Sequence, residues 1–113
     1  MITATADVCA GEALALGEPL RSDQERVAVV AVVAGNFDVR FEVTTADWIG
    51  DGRSVVVSRP GSPVALVIPP GARLFAWLAA CELHGNRLVG GPSPAEGRAA
   101  VPATITFRMG VLS

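Results

Sequence analysis

Few residues in this chain have types and spacings that could do chemistry. His84 is the only histidine, so any Ser-His-Asp or Cys-His mechanism would have to run through it, with Cys81 or Cys9 as the nucleophile to consider. Cys81 lies three positions before His84, and residues an odd number apart in an extended strand point to opposite faces. The histidine therefore reads more simply as a surface residue beside the Gly85-Asn86 turn. Glu42 and Glu82 have the types of an acid–base pair, but nothing in the sequence brings them together. Asp47-Trp48-Ile49-Gly50-Asp51-Gly52 holds two carboxylates and two glycines in six residues, like a calcium loop. It lacks the further oxygen ligands and closing glutamate of an EF-hand, and Asp51-Gly52 is a common tight-turn pair. Cys9 and Cys81 match no zinc or redox spacing and read as unbonded, buried thiols in a reducing compartment. There is no Walker loop, dinucleotide fingerprint or HExxH motif. No catalytic residue, metal or cofactor is assigned, and an enzyme is the least favoured class.

The two tryptophans raise a different possibility, because a flat aromatic face on a β-sandwich can stack on a sugar ring. Trp77 sits in an apolar run and reads as core. Trp48, beside a glycine-rich turn, is the better candidate for exposure, as an interface anchor or as part of a ligand platform. A sugar site would want a surrounding cluster of polar and aromatic residues, and the chain has no tyrosine.

The elements that position these residues are strands. Half of the 113 residues are hydrophobic, yet the longest apolar stretches, Val27 to Ala34 and Leu74 to Cys81, are strand-sized, far short of the ~20 residues of a membrane-spanning helix. Phe37-Asp38-Val39-Arg40-Phe41-Glu42-Val43-Thr44 alternates without a fault. Phe37, Val39, Phe41 and Val43 are expected in the core, with Asp38, Arg40 and Glu42 meeting solvent or a partner. Val27 to Val33 is apolar on both faces and is followed by Ala34-Gly35-Asn36, which predicts a hairpin with the alternating strand. Further strands are expected over residues 2–8, 13–16, 53–58, 64–68, 73–82 and 103–111. Turns fall at Arg59-Pro60-Gly61-Ser62-Pro63 and Pro69-Pro70-Gly71-Ala72. Leu74, Trp77, Leu78 and Cys81 also fit a helical stripe, but a two-sided apolar run after a tight turn suits a sandwich interior. Leu83 to Pro102 reads as a long surface loop. The expected fold is one all-β domain over residues 1–113, an antiparallel β-sandwich of seven or eight short strands, with jelly-roll connections among the options.

Composition narrows the partners. Nine basic and eleven acidic residues give a formal charge of −2, and the arginines are scattered, which argues against nucleic acid as a partner. Charged residues make up 18%, below the ~25% of an average soluble domain, leaving less polar surface to keep copies apart. Met1 to Asp7 lacks the basic and apolar regions of a secretion signal, so the expected compartment is the cytoplasm, with no membrane partner.

In style the chain resembles the small β-sandwich structural proteins of tailed bacteriophage particles, of the head-decoration or spike and fibre type. The carriers are the Met1 start leading into a strand, the alternating Phe37 to Thr44, the Val67-Ile68-Pro69-Pro70-Gly71-Ala72 turn before Leu74 to Ala80, and the lack of catalytic motifs. The resemblance implies a non-enzymatic virion component, assembled in the host cytoplasm, that forms a homo-oligomer, a trimer being favoured, and binds a capsid or tail protein. The interface residues expected for that role are Val27, Val29, Val33, Trp48, Leu88 and Val89. The reading from a different class is a carbohydrate- or small-ligand-binding module built on Trp48 and the Leu83 to Pro102 loop.

Overall fold

β-Branched and aromatic residues at alternating positions favour the pleated, half-buried surface of a sheet, and here they form strands throughout. The computed structural model describes residues 3–17, 23–57, 61–91 and 103–111. Among them lie the strands β1 (Ala4–Val8), β2 (Leu14–Leu16), β3 (Arg26–Gly35), β4 (Val39–Thr44), β5 (Arg53–Val57), β6 (Val64–Ile68), β7 (Arg73–Leu78), β8 (Cys81–His84), β9 (Arg87–Gly90) and β10 (Ala103–Val111). Two four-stranded antiparallel sheets, in the orders β1-β10-β3-β6 and β2-β7-β4-β5, enclose one core, and β8-β9 forms a separate hairpin. With that hairpin set aside, every connection passes from one sheet to the other except the one joining β4 to β5. This is jelly-roll connectivity, so the expected all-β sandwich is observed. No helix among the described residues is long and apolar enough to cross a membrane.

The core follows the strand period. Val39 and Phe41 of β4 meet Leu74, Ala76 and Leu78 of β7 on the inner face of one sheet, and Ala28, Val30, Val32, Ile68 and Ile105 line the other. Val8 and Leu16 complete this layer from the edge strands. Phe37 and Val43, expected inside, are half-buried and pack against this cluster.

Several expectations are corrected. β3 and β4 do not form a hairpin: β3 is bonded to β10 on one side and β6 on the other, which leaves it no edge for β4. The Gly35 backbone, at φ 102°, helps carry the chain across to the second sheet. The expected strand over residues 73–82 is two strands. After Leu78 the Ala79 N–H donates to the Asp38 carbonyl (3.0 Å), which ends the ladder in a turn. Leu83 begins no long loop, because β8 and β9 pair from Cys81↔Gly90 to His84↔Arg87 around Gly85-Asn86. Gly85 has φ 63° and Asn86 is not in the positive-φ region, as a II′ hairpin turn requires. The remainder of that expected loop, residues 92–102, lies outside the described residues, as do residues 58–60 of the turn before β6. The Pro69-Pro70-Gly71-Ala72 turn is present, with the Ala72 N–H donating to Pro69 O (3.0 Å) and Gly71 at φ 81°.

One basic residue faces inward. Arg26, opposite Ile68 on the inner side of β3, is 6% exposed, and its Nη2 donates to the Ala72 carbonyl at 2.6 Å. It thereby ties the start of β3 to the crossing between β6 and β7. The long stem of an arginine supplies apolar area while its fork satisfies a buried carbonyl.

Candidate functional site

Three surface features emerge: the loop between β4 and β5, a cleft beside it, and an apolar stripe on the other side of the sandwich.

The loop, residues 45–52, is built on Glu42. In β4, Glu42 points away from the core, as its place in the alternation requires, yet it is buried. Its Oε2 accepts the Gly50 N–H at 2.8 Å and the Gly52 N–H at 3.2 Å. The expectation that Glu42 meets solvent or a partner is thus corrected: its own chain folds back over the outer face of the sheet and covers it. A buried carboxylate needs donors, and two backbone N–H groups supply charge-assisted bonds. The loop starts with the Ala46 N–H donating to Thr44 Oγ1 (3.0 Å). Gly52 is confined there, since a Cβ would lie 2.2 Å from the Val43 carbonyl oxygen. Asp47 and Asp51 do not gather further ligands; among the described residues no group of three or more His, Cys, Asp or Glu side chains could hold a metal.

Held this way, the loop buries Ile49 and lays Trp48 on Phe75, with ring centroids 6.2 Å apart at 59°. The Arg73 guanidinium lies over the same Phe75 ring at 5.2 Å. Trp48 remains 38% exposed. Phe75 and Trp77 share this outer face with Glu42 and Arg40 by register, and both are buried. Gly50 lies close to Leu83 of the β8–β9 hairpin, so loop and hairpin together cover the sheet. Trp77 is therefore buried, as expected, but on this outer face and not between the two sheets.

The cleft, of ≈ 700 Å³, opens between β5 and β6, the edge strands of the two sheets. Its lining includes the apolar Val43, Val55 and Leu66 and the polar Thr44, Asp51, Arg53 and Ser54.

The third feature is the outer face of the β1-β10-β3-β6 sheet. Toward β1 it carries Thr5, Asp7, Thr104 and Thr106, with Thr104 Oγ1 donating to Asp7 Oδ1 at 3.3 Å. Toward β6 it carries Val27, Val29, Ala31, Ala65 and Val67. Val67 is 54% exposed. Val33 has no residue opposite it, because the register moves from Ile105↔Val32 to Thr104↔Ala34; this bulge leaves it 47% exposed. The six expected interface residues therefore divide between two opposite sides of the sandwich. Val27 and Val29 lie on this stripe, with Val33 at its end. Trp48 lies on the covered face, and Leu88 and Val89 are half-buried in the hairpin beside it.

Cys81 and His84 are not brought together. The Cys81 thiol is buried and donates to the Gly90 carbonyl (3.7 Å), while the exposed His84 Nε2 lies 3.3 Å from Glu82 Oε2. Both cysteines are unbonded, and Cys9 is half-buried. Thiol labelling of the native chain is expected to modify Cys9 well before Cys81, because buried structural thiols are inert. Faster labelling of Cys81, followed by peptide mapping, would contradict this placement.

Glu42 and Arg26 are the two structurally important residues that sequence reasoning missed. No local signal distinguishes Glu42 from any other outward charge in an alternating strand. Comparison with protein-family models, curated proteins and solved structures found no match.

Proposed function

We propose that this chain is a non-enzymatic assembly component, a building block that self-associates and docks on a larger particle through apolar surface. A phage virion, in a capsid-decoration or spike and fibre position, is the setting implied by the resemblance. The observation that carries the reading is the stripe of Val27, Val29, Ala65 and Val67, in which Ala65 and Val67 are exposed and Val27 and Val29 half-buried. An apolar patch on a chain with so few charges is more stable against another protein surface than against water.

The test is solution mass by light scattering across a dilution series. Val29→Glu is the informative variant, because Val29 stands opposite Arg108, and a cross-strand glutamate–arginine pair supports the sheet. The variant is expected to keep its unfolding midpoint while any assembly through the stripe weakens and its mass falls. Trp48→Ala, on the other side of the sandwich, is expected to weaken assembly more than folding. A wild-type chain that stays monomeric throughout the series would overturn the self-association reading.

The second reading, a carbohydrate- or small-ligand-binding module, is supported by the half-exposed Trp48 ring on Phe75 and by the neighbouring cleft. Jelly rolls serve both roles. Tryptophan emission that saturates on titration with a glycan would favour this reading, and an unchanged spectrum across a glycan panel would remove it.

A further inference from the structure

A sheet edge exposes unpaired backbone N–H and C=O groups, and natural sheets disguise such edges with charge, brevity or cover. Three of the four edges of the two four-stranded sheets carry such a device. β1 contains Asp7, β2 is only three residues long, and β5 begins with Arg53-Ser54. β6 is different: Val64-Ala65-Leu66-Val67-Ile68 is apolar throughout, and it is bonded to β3 on one side alone among the described residues.

The flanks of β6 are symmetric. Pro63 precedes it and Pro69 follows it, each three positions from Leu66. In an antiparallel pairing of β6 with its own copy about Leu66, Ala65 meets Val67, Val64 meets Ile68, and Pro63 meets Pro69. Every pair inside the ladder is apolar against apolar, and at both ends a residue without an N–H faces another without one. A foreign strand has no reason to match these stops, whereas a second copy matches them by symmetry. The outer residues Ala65 and Val67 also continue the stripe from Val27 and Val29, so pairing would run that stripe across both molecules.

We propose that β6 is the contact strand of a two-fold homodimer, joining the two β1-β10-β3-β6 sheets into one continuous eight-stranded sheet. The contact is isologous, so the unit it makes is a dimer, in place of the trimer that the resemblance implies. The proposal rests on the self-association reading above and adds its surface, register and symmetry.

Disulfide trapping tests it, in a chain carrying Cys9→Ser and Cys81→Ala. Leu66→Cys places a thiol opposite its own copy and is expected to give a covalent dimer on mild oxidation. Val67→Cys places its thiol opposite Ala65 and is expected to give little. In the otherwise native chain, Val67→Lys is expected to reduce the mass from two chains to one with an unchanged circular dichroism spectrum, since lysine protects an edge. Equal trapping at both positions overturns the register and the proposal with it. A wild-type oligomer that Leu66→Cys does not trap and Val67→Lys does not dissociate overturns β6 as the contact and leaves self-association standing. A monomeric wild-type chain overturns both.

Discussion

Phe41→Ala is expected to lower the free energy of unfolding by about 3–5 kcal/mol, the range for truncating a fully buried phenylalanine. Phe41 is 0% exposed and stands mid-strand in β4, between Val55 of β5 and Ala76 of β7. Its neighbours belong to two ladders, so the sheet cannot close over the missing ring without breaking register, and a cavity remains. Against a total stability of roughly 5–15 kcal/mol for a domain of this kind, the loss is a large fraction. Urea unfolding followed by circular dichroism measures it: with a slope of about 1–3 kcal/mol/M, the midpoint should fall by at least ~1 M. A shift of a few tenths of that would mean the site collapses on substitution and is less tightly packed than its burial indicates.

Glu42→Ala is the second large effect, expected at about 2–4 kcal/mol because hydrogen bonds to a charged group are lost and the Gly50 and Gly52 N–H groups are left without their acceptor. Glu42→Gln keeps an acceptor oxygen and should cost less. The variant also tests the architecture of the site. Once the carboxylate is gone the loop no longer has its anchor, so Trp48 should leave Phe75 and its emission should shift to the red before global unfolding. Gly52→Ala attacks the same anchor from the other side, since its Cβ would collide with backbone that cannot swing away. The two substitutions break one interaction, so the double variant should be less destabilised than the sum of the singles by about 1 kcal/mol or more. Strict additivity would show that the loop is held by Ile49 and Trp48 packing and not by Glu42.

These two residues separate what could be read locally from what could not. Phe41 is legible as core, and so are Val39, the strand that carries them and the Pro69-Pro70-Gly71-Ala72 turn, whereas the partners of that strand are not. Each legible feature rests on period-two alternation or on the fixed backbone preferences of proline and glycine. Glu42 stands in the same faultless alternation. Alternation placed it correctly on the face of β4 opposite Phe41; what it could not indicate is that residues 45–52 return to cover that face. Trp77 was expected to be buried and is, but on that covered side. The six expected interface residues rest on apolar surplus, on a turn or on a place in the expected long loop, and the fold distributes them over opposite sides of the sandwich.

The sequence by itself determined the strand content, the sandwich class and the inner layer, because side-chain direction along a strand is set residue by residue and needs no distant partner. Only the tertiary structure decided that the chain crosses from β3 to the second sheet, that a buried carboxylate anchors the loop under Trp48, and that β6 is left as an apolar edge. Each of these depends on which strands occupy the two sides of a neighbour and on what lies across a face. The contacts involved are between residues far apart in the chain, and a local pattern carries no information about them.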